Sequence, residues 1–307
     1  MVSSVFDPLG FLAPLILRGK MILQQLCRNN TDWHQPLPDE LRPQWEDWRQ
    51  DLHNLSNLNI QRCYKPPEFG TVKFAELHHF SDASLSGYGQ CSYLRQVDMQ
   101  GQVYCSFVMA KARVAPLKTV TITRLELQAA VVSVNHELAN SGLKNIFWTY
   151  SKVVLRYIKN EARRFHIFVA NRIQRIHESS SPDQWRYVST NENPADFASR
   201  GLKANELTTS NWFQGPPFLW KEDIPGESTS SLLITSDDPK VKRVQVLATG
   251  AIEKTALQDK FTKYSDWSRL QSAVSVLLKC CARKSLEAEI KPPHARDGAT
   301  RTIICMV

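Results

Sequence analysis

The chain has 307 residues, 42% of them hydrophobic and 22% charged, with a formal net charge of +8 and a sequence pI near 9.1. That length holds one large domain or two ordinary ones, and the composition excludes a collagenous, low-complexity or strongly charged disordered chain. The mild excess of base favours an acidic or phosphate-bearing partner.

The N-terminal apolar run is broken by Pro14, Arg18 and Lys20, too short and too charged for a signal peptide or a bilayer span. After Pro14, Leu15, Ile22 and Leu26 fall at helical spacing. Leu41, Trp45, Trp48 and Leu52 form a second stripe with spacings of 4, 3 and 4, which predicts a helix whose tryptophans pack in a core rather than bind a ligand. Pro66-Pro67 breaks the pattern. Strand-like runs follow at Ala75–Ser81, Tyr88–Arg95 and Gln102–Lys111, with Gly87 and Gly89 read as the first turn and residues 98–101 as the second. A helix is predicted from about Arg124 to Asn140, then a short strand at Asn145–Thr149, helices at Lys152–Asn160 and Ile167–Ser179, a strand at Trp185–Val188 and a helix at Ala195–Arg200. Three antiparallel strands followed by αβ alternation predict a mixed sheet covered by helices, an α/β fold. Residues 215–238 read as linker, Lys260–Lys279 as one more helix, and the tail beyond Lys291 has no periodicity.

Seven cysteines contain no CxxC pair, and Cys280 and Cys281 are adjacent, a pattern that suits reduced thiols better than zinc ligands or a disulfide framework. His78 and His79 are neighbours on a strand, so their side chains point to opposite faces and do not share a metal. The chain has no GxSxG, HExxH or P-loop pattern, and no motif supports a protease.

Three acids are placed by chain geometry where they would be exposed together. Asp82 ends the first strand, Glu126 lies in the first turn of the next helix, and Asp196 lies in the first turn of the last one. Each also has a purely structural explanation. Asp82-Ala-Ser suits a turn. Thr123-Arg-Leu-Glu126 suits a capping box. Asn193-Pro-Ala-Asp196 suits an N-cap with proline behind it and an acid favoured by the helix dipole.

The words around these acids decide between the readings. HHFSDASLSGYGQCSYLR, AKARVAPLKTVTITRLELQAAV, FWTYSKVVLRYI and NENPADFASRGL resemble, in order, the motifs of the ribonuclease H region of BEL/Pao retrotransposon Pol polyproteins. VSSVFDPLGFLAPLILRGKMILQQL resembles the end of the reverse transcriptase in the same proteins, and NWFQGPPFLW and YSDWSRLQSAVSVLLK resemble the stretch leading to the integrase. The resemblance spans about residues 1–280. It implies a helical reverse-transcriptase thumb or connection remnant over 1–65, a ribonuclease H-like domain over 72–203, a linker over 204–245, a helical pre-integrase segment over 246–290 and an unstructured tail over 291–307.

It also implies a chemistry. The intact family enzyme hydrolyses RNA in RNA–DNA hybrids with two Mg²⁺ ions about 3.5–4 Å apart. Asp82, Glu126 and Asp196 match three of its four metal-binding carboxylates. The fourth position departs from the pattern. The family has Trp-Ser/Thr-Asp-Ser, and this chain has Trp148-Thr149-Tyr150-Ser151. A phenol with a pKa of about 10 is neutral at pH 7 and a poor Mg²⁺ ligand. The expectation is weakened Mg²⁺ binding and reduced cleavage. Asp-to-Tyr needs one nucleotide change, which suits a decayed element copy.

Between Ser141 and Glu178, eight Lys/Arg stand against two acids, a local net of +6. Of these, Lys152, Lys159, Arg163, Arg164 and Arg172 are candidate contacts to nucleic-acid phosphates, with Phe165 and His166 interleaved for stacking; a solvated helix face is the alternative. The implied partners are an RNA–DNA hybrid or other nucleic acid and other Pol segments, with no membrane, in the cytoplasm within a retroelement particle or in the nucleus. Three hypotheses remain open at this stage: an active or weakly active ribonuclease H, a non-catalytic hybrid-binding module, and a non-functional relic.

Overall fold

The computed structural model describes residues 2, 5–32, 34–135, 142–160 and 164–224, with 266, 271, 272 and 275 from the remainder. The chain divides into two units, residues 1–243 and 244–307, and every element below lies in the first. The helix expected at Lys260–Lys279 falls almost wholly outside the described residues, and the tail beyond Lys291 entirely so.

The expected sheet is present, with longer strands than the hydrophobic runs suggested. β1 (Val72–Ala83), β2 (Gly87–Asp98) and β3 (Val103–Val114) form an antiparallel meander, and β4 (Lys144–Thr149) and β5 (Trp185–Tyr187) extend it in parallel. The order across the sheet is β3-β2-β1-β4-β5. β1 is the central strand, hydrogen-bonded on both edges and buried from His78 to Ala83. The first turn lies at Ser84–Gly87, where the Ser84 amide donates to the Gly87 carbonyl at 2.8 Å. Gly89, read as part of that turn, is instead inside β2 and pairs with Asp82.

Strand alternation sends side chains to two faces. One face is covered by α3 (Ile122–Val134), α4 (Lys152–Ile158) and α5 (Ile167–Ser179) around Leu127, Val131, Phe147, Leu155, Ile173 and Trp185. The other carries Phe80, Tyr93, Phe107 and Trp148 beneath α1 (Ala13–Arg28) and α6 (Ala195–Arg200). Residues 204–224, expected as the start of a linker, add α7 (Ala204–Thr209) and bury Leu207, Trp212, Phe218 and Leu219 in that same core. The N-terminal segment is likewise part of this packing: Ala13 and Leu17 of α1 join the core, and Trp212 donates its indole N–H to the Phe11 carbonyl at 2.9 Å. The tryptophan stripe behaves as core. Trp48 of α2 (Arg42–Asn54) is fully buried, donates to the Leu15 carbonyl at 2.9 Å and stacks near Trp45.

The capping box expected at Thr123 is absent. α3 starts two residues earlier, with Thr121 as N-cap and no side-chain cap bond. The physical reason is that Glu126 has another partner, described next. α3 is described to Val134, and residues 136–141 lie outside the described set.

Candidate active site

The three acids approach the same end of the sheet from different elements. Asp82 is at the C-terminal end of β1, on the α6 face. β4 lies parallel beside it, with Ser81 level with Thr149, so the chain leaves β4 at Tyr150 directly alongside Asp82. Glu126 comes from the α3 face and Asp196 from the first turn of α6.

Hydrogen bonds then link these residues one to the next. Ser199 donates to Asp82 Oδ2 at 2.5 Å, and Asn193 donates through its amide to Asp82 Oδ1 at 3.4 Å. Ser199 shares α6 with Asp196, whose Oδ1 accepts from Arg200 Nε at 2.6 Å. On the other side, the Tyr150 hydroxyl donates to the carbonyl of Ala83, the residue after Asp82, at 3.3 Å. Ser151 donates to Glu126 Oε2 at 2.7 Å while its Oγ accepts from the Val154 amide as the N-cap of α4.

Electrostatics follows from burial. Asp82 is 3% exposed, and its pKa is pushed up to about 7, first by burial and then by the nearby charges of Asp196 and Glu126, against the Ser199 hydrogen bond. The Tyr150 phenol is raised above its ordinary value by burial, by its hydrogen bond with Glu126 and by the charges of Glu126, Asp82 and Asp196. Tyr150 is therefore a neutral donor at any physiological pH.

Ser199 and Arg200 are the residues that sequence reasoning passed over, and the contacts of Asn193 with Asp82 and of Ser151 with Glu126 were not anticipated. A signal existed: Asp196, Ser199 and Arg200 stand at i, i+3 and i+4 on one helix, which puts them on one face. The expected N-cap role of Asn193 does not hold: Pro194 is the N-cap of α6, and Asn193 closes a local turn before it by accepting the Ala195 amide on Oδ1 at 3.2 Å, while its Nδ2 turns to the Ser81 carbonyl and Asp82.

The histidines are core groups. His79 lies between Ser92 Oγ at 2.8 Å and Asn145 Oδ1 at 2.9 Å, and His78 accepts from Trp148 Nε1 at 3.1 Å with Glu76 3.6 Å away. Among the described residues, no three His, Cys, Asp or Glu side chains form a group able to hold a metal ion.

Of the candidate cations, Lys152 immediately follows Ser151 and its ammonium lies 5.0 Å from the centre of the Tyr187 ring. Arg172 stacks on Phe168 at 3.7 Å and donates to Gln128, two residues beyond Glu126. Lys159 and exposed Arg164 lie in the connection between α4 and α5, and Arg163 is outside the described residues.

Residues 1–155, half of the chain, match the family described as the Pao retrotransposon-like RNaseH-like domain. The chain belongs to that family. The part of the chain that matches this Pao retrotransposon-like RNaseH-like family runs from α1 into α4, so it contains Asp82, Glu126 and Tyr150, and Asp196 lies beyond it. Among solved structures, ribonuclease H1 from the halophilic archaeon Halobacterium salinarum is similar at 14% identity, over 45% of this chain and 98% of that one, with a TM-score of 0.29. The N-terminal RNase H domain of a Mycobacterium tuberculosis protein, solved fused to maltose-binding protein, is similar at 9% identity, over 44% of this chain and 96% of that one, with a TM-score of 0.30. No curated protein sequence matches the chain. No helix among the described residues is long and apolar enough to cross a membrane.

Proposed function

We propose that this chain is a retroelement ribonuclease H-like module that engages RNA–DNA hybrids and whose hydrolytic activity is impaired at Tyr150. The observation that carries this reading is the position of the Tyr150 hydroxyl, between the Ala83 carbonyl and Glu126 and alongside Asp82. In the intact family, two Mg²⁺ ions held by four carboxylates supply the attacking water and stabilise the leaving oxygen. The residues here do not fit that pair. Mg²⁺ demands hard oxygen ligands in near-octahedral geometry, whereas Tyr150 offers a neutral phenol. The three remaining acids are each engaged by Ser199, Ser151 or Arg200. No hydrolytic step is therefore assigned to Asp82, Glu126 and Asp196 as they stand; they are the remnant of a catalytic set.

What supports hybrid binding is the basic excess beside this end of the sheet, with Lys152 and Arg172 closest to Ser151 and α3. Nucleic-acid phosphates would be met there by Lys152, beside the Tyr187 ring, and Arg172, beside Phe168 and Gln128.

The test is a cleavage and binding assay on the full chain with an RNA–DNA hybrid. The expected result is cleavage in Mg²⁺ no faster than that of the Asp82→Asn variant, with Mg²⁺-dependent cleavage recovered in Tyr150→Asp. Binding should be salt-sensitive, and each of Lys152→Ala and Arg172→Ala should lower the salt slope by about 1. Brisk Mg²⁺-dependent cutting by the unaltered chain, lost in Asp82→Asn, refutes the impairment; salt-independent or absent binding refutes the hybrid partner.

A further inference from the structure

We infer that the acidic end of the sheet is closed on itself as a metal-independent structural element, so that this chain folds, and engages hybrid, without any divalent cation. The part of this inference that concerns hybrid rests on the function proposed above; the part that concerns folding does not.

A cluster of carboxylates is ordinarily held together by cations, because like charges at close range repel and buried charge is costly without a partner. Here the partners come from the chain. Asp82 Oδ2 accepts from Ser199, a fully buried hydroxyl fixed on α6. Asp82 Oδ1 accepts from Asn193, which is itself pinned to the Ser81 carbonyl at 3.1 Å. Glu126 accepts from Ser151, whose position is fixed because the same oxygen caps α4. Asp196 is turned to Arg200, an i, i+4 ion pair on its own helix. Tyr150 puts a neutral phenol in the fourth position, its hydroxyl lying between the Ala83 carbonyl at 3.3 Å and the Glu126 carboxylate. Each carboxylate thus has a donor from the chain itself, α6 supplying those of Asp82 and Asp196 and the N-cap of α4 that of Glu126, and a metal ion would have to compete with these bonds for the oxygens. Removing one carboxylate and supplying donors for the others lessens the electrostatic need that a bound cation would otherwise meet, and the remaining repulsion on Asp82 is relieved by its raised pKa.

The experiment is thermal unfolding of the full chain in EDTA, in millimolar Mg²⁺ and in millimolar Mn²⁺ at matched ionic strength. The expected midpoint is the same in all three, whereas a ligand that bound the folded state alone would raise it in proportion to RT ln(1 + [L]/Kd). Tyr150→Asp, which restores the fourth charge, should melt a few degrees lower than the unaltered chain in EDTA and regain that loss in Mg²⁺. Tyr150→Asn, which removes the phenol without adding charge, should stay indifferent to Mg²⁺. Hybrid affinity of the unaltered chain should be equal in EDTA and in Mg²⁺. A saturable rise of the unaltered chain's midpoint with Mg²⁺ or Mn²⁺, abolished in Asp82→Asn, overturns the inference; because it is read on the unaltered chain, it stands even if Tyr150→Asp fails to fold. Hybrid binding seen only with Mg²⁺ also overturns it. Absence of hybrid binding in both buffers would instead refute the proposed partner, and the melting data would still decide metal independence.

Discussion

Asp82 pairs with Gly89 on the central strand and is held there by Ser199 and Asn193, yet its charge is disfavoured by burial and by Asp196 and Glu126. Its pKa of about 7 in the folded chain lies above the ordinary aspartate value near 4. Between about pH 4 and about pH 7 the folded state therefore binds more protons than the unfolded one, and its stability falls as pH rises through that window. The contribution is fully present below the unfolded pKa and lost above the folded one, with an upper bound on the order of 4 kcal/mol. Urea unfolding should show a midpoint that drops from about pH 5 to about pH 8, and Asp82→Asn should flatten that slope; an unchanged slope in the variant would assign the pH dependence elsewhere. At this scale the sequence words singled out Asp82, Glu126, Asp196 and Tyr150, and the fold brings these four to one end of the sheet. The words did not show how the acids are held. Ser199 and Ser151 are common residues whose role depends on which helix face meets which strand, and that is settled by packing rather than by spacing. The same packing took Glu126 from Thr123 and gave it to Ser151.

The elements were legible wherever periodicity was strong. Ile167–Ser179 and Ala195–Arg200 form as expected, and the mixed sheet follows from three hairpin-linked runs and the αβ alternation after them, whereas the order of its strands is visible only in the fold. Of the two glycines expected in the β1–β2 turn, Gly87 closes it and Gly89 does not, because a turn and a close approach use the same residue. Gly89 sits where α6 crosses the sheet: a Cβ there would come within 2.6 Å of the Lys111 carbonyl oxygen and 3.0 Å of the Ala198 Cβ. Its missing side chain is what lets α6 lie on β2 and bring Ser199 to Asp82. Gly89→Ala should therefore lift α6 from the sheet at a cost of about 1–3 kcal/mol. Hydrogen exchange is the measurement that localises it: protection should fall in α6 and around Lys111 of β3, the two nearest neighbours of the added Cβ, while β4 and β5 keep theirs. Uniform loss across the sheet would mean the strain spreads through β2 instead.

For the molecule as a whole, the resemblance to separate Pol segments suggested that a domain could be cut out at residues 72–203. The packing argues against such a fragment standing alone. Arg95 is 2% exposed on the central sheet, and its guanidinium is satisfied by the carbonyls of Leu219 at 2.9 Å, Lys221 at 2.7 Å and Glu222 at 2.9 Å, with Glu76 3.5 Å away. Tyr93, also fully buried, donates to the Trp212 carbonyl at 2.6 Å. The stretch NWFQGPPFLW reads as loop because Gly and Pro interrupt any period, yet Trp212 and Leu219 within it are fully buried. Ending the chain at Lys203 would strip a buried cation of its three carbonyl acceptors and leave it Glu76, 3.5 Å away, at about 1–3 kcal/mol for each buried donor left without a partner. It would also uncover Phe80, Tyr93, Phe107 and Trp148 beside the lost Trp212, Phe218 and Leu219, at about 3–5 kcal/mol for each large aromatic removed. Those losses together are comparable with the 5–15 kcal/mol by which domains are typically stable. A chain ending after Ile224 should thus unfold cooperatively with near-native stability, and one ending after Lys203 should be insoluble or show no cooperative transition. Replacing Arg95 with Met in the shorter chain removes the orphaned charge but not the exposed aromatics, so it should not rescue folding; if it did, the buried cation alone, and not the apolar cover, would be what ties residues 204–224 to the sheet.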